Sequence, residues 1–281
     1  EKAVYAHYLT NIGVTEDFAK EDRHNAIVFY NKAKIYIKDV EGYYLVHNTV
    51  SFQLALTQAT IGDLQNAKEN VKIIEKVLTQ NNKPLSSDRF LYVRSKIFLE
   101  EGEYEKALED INMLIASEPE LYGKTVTAPL YRLKAEILDR MGKHQESFDL
   151  ASKLYELEIG NNKEMTKLHS SILIVLASSE ISLQKLHAAT NHINLAIEVL
   201  SKNLEKNYDL NKIKEVYLAN AYLVKGEIAS AEKRYEEAIS LYNISNKIYH
   251  NILGSNLNLD KISYLYYKIA RSEEHTSELQ S

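Results

Sequence analysis

At 281 residues and 45% hydrophobic content, the chain can build one or two ordinary domains or one elongated array, and nine Gly and three Pro favour long helices over turn-rich β structure. A formal net charge of −5 argues against a general nucleic-acid binder, and no run of about twenty apolar residues is present to span a membrane. The absence of Cys removes disulfides, thiolate nucleophiles and Cys-based zinc sites together, and with no visible signal peptide it is compatible with a cytoplasmic protein.

Helical periodicity runs along the chain in pairs. From Arg23 to about Val40 the sequence reads as the second helix of a pair whose first member is broken up around Gly13. Tyr43 to Ile61 and Asp63 to Thr79 form the next pair, divided at Gly62. After a loop at 81–85, with Asp88 as N-cap, come Arg89 to Glu101 and Glu103 to Ser117, divided at Gly102 and stopped by Pro119. Thr125 to Met141 and Lys143 to Glu158 are divided at Gly142 and followed by a loop at Gly160. Lys163 to Leu183 and Leu186 to Lys206 join without Gly or Pro. Asp209 to Lys233 and Tyr235 to Leu253 follow, and Leu259 to Ala270 opens a further helix without its partner.

The clearest unit is Gly102 to Pro119. Tyr104, Ala107, Leu108, Ile111, Leu114 and Ile115 make one apolar stripe, while Lys106 and Asp110 read as an exposed pair one turn apart. A small residue recurs in each second helix at Ala26, Ala67, Ala107, Ser147, Ala189 and Ala238, at intervals of 41, 40, 40, 42 and 49. Such a period is the signature of stacked helical repeats. Gly62, Gly102 and Gly142 stand five residues ahead of it, with Glu21, Gln184 and Lys233 in that place elsewhere. The last eleven residues, Arg271 to Ser281, lack the apolar periodicity and match the reading-frame translation of a sequencing-library adapter. They are set apart as a non-native tail, with the natural chain expected to continue beyond Ala270.

Ser95, Gly102, Tyr104, Ala107, Ile111, Leu114 and Pro119 in one repeat, Ala135, Gly142, Ser147 and Leu154 in the next, and Ala55, Gly62 and Ala67 in the preceding one resemble the tetratricopeptide repeat family. The period exceeds that family's usual one, and the final repeat from Tyr235 is similar to the kinesin-light-chain type. The resemblance implies an all-α, right-handed superhelical solenoid of about six antiparallel helix pairs. It forms one array over 1–270, with repeats near 1–40, 43–80, 88–119, 126–159, 163–206 and 209–253 and a cut helix at 259–270. It also implies that first helices line a concave groove, with Phe52, Leu56, Arg89, Tyr92, Lys96, Arg132, Glu136 and Asp139 as partner-binding candidates. Lys96 and Arg132 would there meet a partner carboxylate. Val93 and Leu133 stand where chaperone-binding members carry clamp residues, which disfavours a chaperone-tail ligand.

The residues offer no catalytic, cofactor or metal constellation. His187 and His192 are five apart and fall on different helix faces, no His pair has metal-binding spacing, and no Gly-rich phosphate loop exists. The serines from Ser170 have no nucleophile elbow and fit helix crossings. Twenty Tyr against six Phe suit half-buried repeat positions, or a partner surface at Tyr43, Tyr44, Tyr264, Tyr266 and Tyr267. The expected function is a non-enzymatic protein-interaction scaffold that holds a peptide or partner helix in the groove, without nucleic acid or membrane contact. The alternative is a sensory or regulatory module of a larger signalling protein, such as a kinase or transcription regulator.

Overall fold

The structure, a computed structural model, describes residues 1–18, 22–85, 88–117, 124–161, 164–202, 216–253 and 259–280. All regular structure among them is helical, in two compact units. Unit one, Glu1–Ser117, pairs α1 (Lys2–Phe18) with α2 (Arg23–Ile37), α3 (Tyr44–Ile61) with α4 (Leu64–Gln80), and α5 (Asp88–Glu100) with α6 (Tyr104–Ser117). Unit two, Glu118–Ser281, pairs α7 (Lys124–Arg140) with α8 (His144–Asn161), α9 (Lys167–Ser182) with α10 (Leu186–Ser201), and α11 (Val216–Ala231) with α12 (Tyr235–Leu253), and ends in α13 (Leu259–Gln280). Within each unit every helix packs on the next, and first helices also pack on one another: α1 on α3, α3 on α5, α7 on α9 and α9 on α11.

Five hairpin turns share one hydrogen-bond pattern. At Gly102, φ is 79°, its N–H bonds the Leu99 carbonyl at 3.2 Å, and the Glu103 N–H reaches back to the Phe98 carbonyl at 2.9 Å. That double closure satisfies carbonyls that the ending helix leaves without partners. Gly62 and Gly142 repeat it, and so do Gln184 and Lys233 at φ 60° and 62°, although a side chain there crowds the following carbonyl. The next helix then starts at once. In all six second helices the small residue's N–H bonds the residue four before it, at 2.9–3.1 Å.

That small residue stands where the two helices of a pair cross. Ala26, Ala67, Ala107, Ser147, Ala189 and Ala238 are all at 0% exposure. Ser95 Oγ donates to the Ala107 carbonyl at 2.9 Å and Ser147 Oγ to the Ala135 carbonyl at 2.7 Å. Both bonds link residues placed symmetrically about a turn, so the paired helices run antiparallel. Twelve residues before the small residue, the first helix also carries something small: Ala55, Ser95, Ala135, Ala177 and Gly226. Four residues after it stand Val71, Ile111, Ala151, Ile193 and Tyr242. Glycine appears where the side chain is largest. A Cβ added to Gly226 would lie 2.5 Å from Cε1 of the Tyr242 ring. Gly13 and Tyr30 repeat this, with the same 2.5 Å approach.

Several local expectations change. Gly13 does not break α1; it is the notch into which Tyr30 packs, in a helix continuous from Lys2 to Phe18. Asp110 is not exposed beside Lys106. It is 3% exposed and accepts two bonds of 2.7 Å from Arg94 of α5, while Lys106 pairs with Glu103 at 3.0 Å. A planar guanidinium, stacked on Phe90 at 4.8 Å, can neutralise a carboxylate at a helix contact that Lys106 cannot reach. Helix α8 continues through Gly160 to Asn161, and α9 starts at Lys167 because Thr166 caps it, its N–H bonded to His169 Nδ1 at 3.0 Å. Helix α13 runs past Ala270, with Ser272 buried and His275 stacked on Tyr235. Glu118, Pro119 and the expected start of α11 at Asp209 lie outside the described residues.

Gly226→Ala should therefore cost about 1–3 kcal/mol through overpacking. Adding Tyr242→Ile, which copies the Ala177/Ile193 pair, should recover part of it. A double-mutant cycle by urea denaturation reads this as a coupling of about 1 kcal/mol or more; additive losses would remove the notch. Lys233→Gly relieves left-handed strain at an exposed turn and should stabilise by about 0.5–1 kcal/mol, seen as a higher Tm in thermal denaturation.

Candidate partner-binding face

Three further columns recur along the first helices, with some members buried, as Ala59 and Ile174 are. Counting back from each small residue, fifteen positions gives Phe52, Tyr92, Arg132, Ile174 and Leu223. Eleven positions gives Leu56, Lys96, Glu136, Ser178 and Glu227, and eight gives Ala59, Leu99, Asp139, Ile181 and Ser230.

In unit one, Phe52 and Leu56 of α3 and Tyr92 and Lys96 of α5 are half-buried. Lys96 Nζ lies 3.2 Å from Thr60 Oγ1, which sets the α5 pair beside the α3 stripe. The Arg89 side chain lies outside the described residues. In unit two, α7, α9, α11 and α13, with Tyr235 and Tyr242 of α12, line an open cleft of about 580 Å3. Glu136 and Asp139 line it and Arg132 does not. Arg132 is 6% exposed and its Nη1 is bonded to Glu136 Oε2 at 2.7 Å, so it reaches a partner's carboxylate only by giving up Glu136.

Tyr264 of α13, named above for a partner surface, lines the cleft, and most of the rest comes from residues that the sequence reading passed over: Ile174, Ser178 and Ile181 of α9, Leu223 and Glu227 of α11, and Lys268 of α13. The signal was available. The α9 and α11 residues occupy the same three columns as Arg132, Glu136 and Asp139, carried one and two repeats further.

The charged groups of the cleft tie first helices together. Asp139 accepts from Ser178 Oγ at 2.6 Å and Ser179 Oγ at 3.0 Å across α9, and lies 2.9 Å from Nδ1 of His144. Glu227 Oε1 accepts from Tyr264 at 2.9 Å and pairs with Lys268 Nζ at 3.1 Å, holding α13 to α11. Burial pulls the Lys268 ammonium down, but the Glu227 carboxylate and the Tyr264 hydroxyl beside it carry it above its ordinary value. Burial pushes the Tyr242 and Tyr264 hydroxyls up, and Glu227 adds to both shifts. Both phenols stay protonated, and Tyr264 donates to Glu227.

Asp139 is thus a packing element as much as a groove residue. Asp139→Ala should leave Ser178, Ser179 and His144 without their acceptor and destabilise by about 2–4 kcal/mol, measured by urea denaturation. A side chain that served only a partner would leave stability unchanged.

No family model and no curated protein matches this chain. Solved structures do. A Rap protein complexed with competence and sporulation factor aligns at TM-score 0.66 and 14% identity, covering 96% of this chain and 77% of that one. The apo form of RapI aligns at 0.56 and 11%, covering 97% and 72%. BtubC (BKLC) from P. vanneervenii aligns at 0.51 and 14%, covering 82% and 85%. At these identities the likeness shows the fold, and the chain has an all-α repeat fold of the tetratricopeptide type.

Proposed function

We propose that the chain is a non-enzymatic interaction scaffold whose first helices hold a segment of a protein partner, an extended peptide or a single helix. The observation that carries this reading is the cleft of unit two, built from four successive first helices and wide enough, at about 580 Å3, for several side chains. Phe52, Leu56, Tyr92 and Lys96 are proposed to serve the corresponding face of unit one, with Arg89 beside them. A Rap protein of similar fold was crystallised with competence and sporulation factor, which supports binding of a partner as one use of such a fold.

The chemistry supports binding over catalysis. His144, Asp139 and Ser179 adjoin one another, yet the serine hydroxyl donates to the carboxylate and to Ser147 Oγ rather than to an imidazole. No base stands on a nucleophile there. Among the described residues no group of three His, Cys, Asp or Glu could hold a metal, and no helix is long and apolar enough to cross a membrane.

Affinity capture followed by titration of the captured segment tests the reading. Leu223→Glu, which puts a charge on the apolar wall, should weaken binding about tenfold or more, equivalent to at least about 1.4 kcal/mol, with Tm retained. Tyr92→Ala reports on unit one in the same way. A partner bound equally by wild type and both variants would show that these faces are not used.

A further inference from the structure

Gly13, which receives Tyr30 as Gly226 receives Tyr242, aligns α1 with the later first helices at Ala55, Ser95, Ala135, Ala177 and Gly226. Aligned in this way, α3 shows how a first helix seats on the pair before it. Val50 and Leu54 close a core cluster with Ala6 and Leu9 of α1 and Ala33 and Ile37 of α2, and Val46 packs against its edge. Thr57 Oγ1 donates to Asp17 of α1 at 2.6 Å. The same columns in α1 hold Val4, Tyr8, Ile12 and Thr15, and among the described residues no pair stands before them.

Burial follows that difference. Five residues before the aligned column stand Tyr8, Val50, Phe90, Leu130, Ile172 and Ala221. The last five are at most 7% exposed, whereas Tyr8 is 59% exposed and Val4 73%. Tyr5, also exposed, stacks with Tyr8 at 6.4 Å and meets the exposed Tyr36 of α2 edge-on at 4.7 Å. The end of a helical array needs a polar outer face to stay apart in water. Here the outer face of unit one has the columns of a stacking surface and sets three phenol rings and a valine on it.

We infer that this face of unit one is covered by the same face of a second copy of the chain, with the two α1 helices antiparallel about a twofold axis. Three features favour a copy as the occupant. Val4, Tyr8, Ile12 and Thr15 carry no charge, so the stripe meets itself without like-charge repulsion. A tyrosine hydroxyl both donates and accepts, so the ring tips of one copy can satisfy those of the other. With 17 residues α1 is about 25 Å long, and a face two helices wide gives about 500 Å2 per copy, or about 1,000 Å2 in all. That is the lower bound for a specific interface, which sets a dimer in exchange with monomer. The contact uses none of the residues proposed above for partner binding and stands independently of that proposal.

Sedimentation equilibrium of the full chain between about 1 and 200 µM tests this. A monomer–dimer equilibrium is expected, with a Kd of about 1–100 µM. It should change less than about threefold between about 0.05 and 0.5 M sodium chloride, because the stripe is uncharged. Tyr8→Glu and Val4→Glu should each weaken the dimer about tenfold or more, by setting carboxylates against an apolar stripe. Both positions are exposed in one copy, so helicity and Tm should be retained. Leu157→Glu, on the exposed surface of α8, should leave the dimer unchanged. A chain that stays monomeric to the highest concentration, leaving the face to some other helix, overturns the inference. A dimer that both α1 variants leave intact overturns it too, since the contact then lies elsewhere.

Discussion

The close crossing of the two helices in each pair is the contact on which the structure depends. An amphipathic helix of four or five turns is marginal alone in water and is kept by what it packs against. Here the partner is always the next helix in the chain, met at a side chain no larger than Ala or Ser. Small residues let two helix axes come within about 8–9 Å and bury an unbroken apolar strip. The turns serve that contact. A five-residue interval from the left-handed turn residue to the small residue brings the second helix to the first in the same rotation each time. Three turns use Gly for this, while Gln184 and Lys233 hold the same geometry at a steric cost that packing overrides.

The crossing also sets a volume rule. Ser95 aligns with Ile111 and Ala177 with Ile193 in sequence, whereas Gly226 is needed to admit Tyr242. Where the second helix brings a tyrosine ring, bulk is traded between two positions on facing helices. Gly13 and Tyr30 make the same trade, although Gly13 is one residue out of phase. A helix-interior glycine costs about 0.5–1 kcal/mol relative to Ala, and a fully buried tyrosine ring repays more than that.

The repeat phase is why so much of the fold could be read from the sequence. Helix order and the divisions at Gly62, Gly102 and Gly142 follow from residues whose constraint is local, so each copy reports it independently. Misreadings fell where a residue's role depends on a partner far along the chain. Gly13 looked like a breaker because Tyr30, not α1, explains it. Asp110 looked solvated because its partner, Arg94, is on another helix. The α9 start is a local exception: it moved because Thr166 and His169 build a cap that apolar periodicity does not register. On the first-helix face, Glu136 and Asp139 were found and Ile174, Ser178, Leu223 and Glu227 were not, although one alignment contains them all.

Comparison of columns separates what packs from what is free to vary. The crossing column admits only Ala and Ser through six copies. The column fifteen residues earlier runs Phe52, Tyr92, Arg132, Ile174 and Leu223, a ring, a phenol, a cation and two aliphatics. A position that the pair's packing leaves open can take any of these, and only its surroundings decide what it does. Arg132 turns to Glu136 and becomes internal, while Ile174 and Leu223 stay on the wall of the cleft. In the adjoining columns Glu136, Asp139 and Glu227 are drawn into ties within or between first helices. The polar chemistry that a sequence reading would assign to a ligand is thus largely consumed in holding the face together.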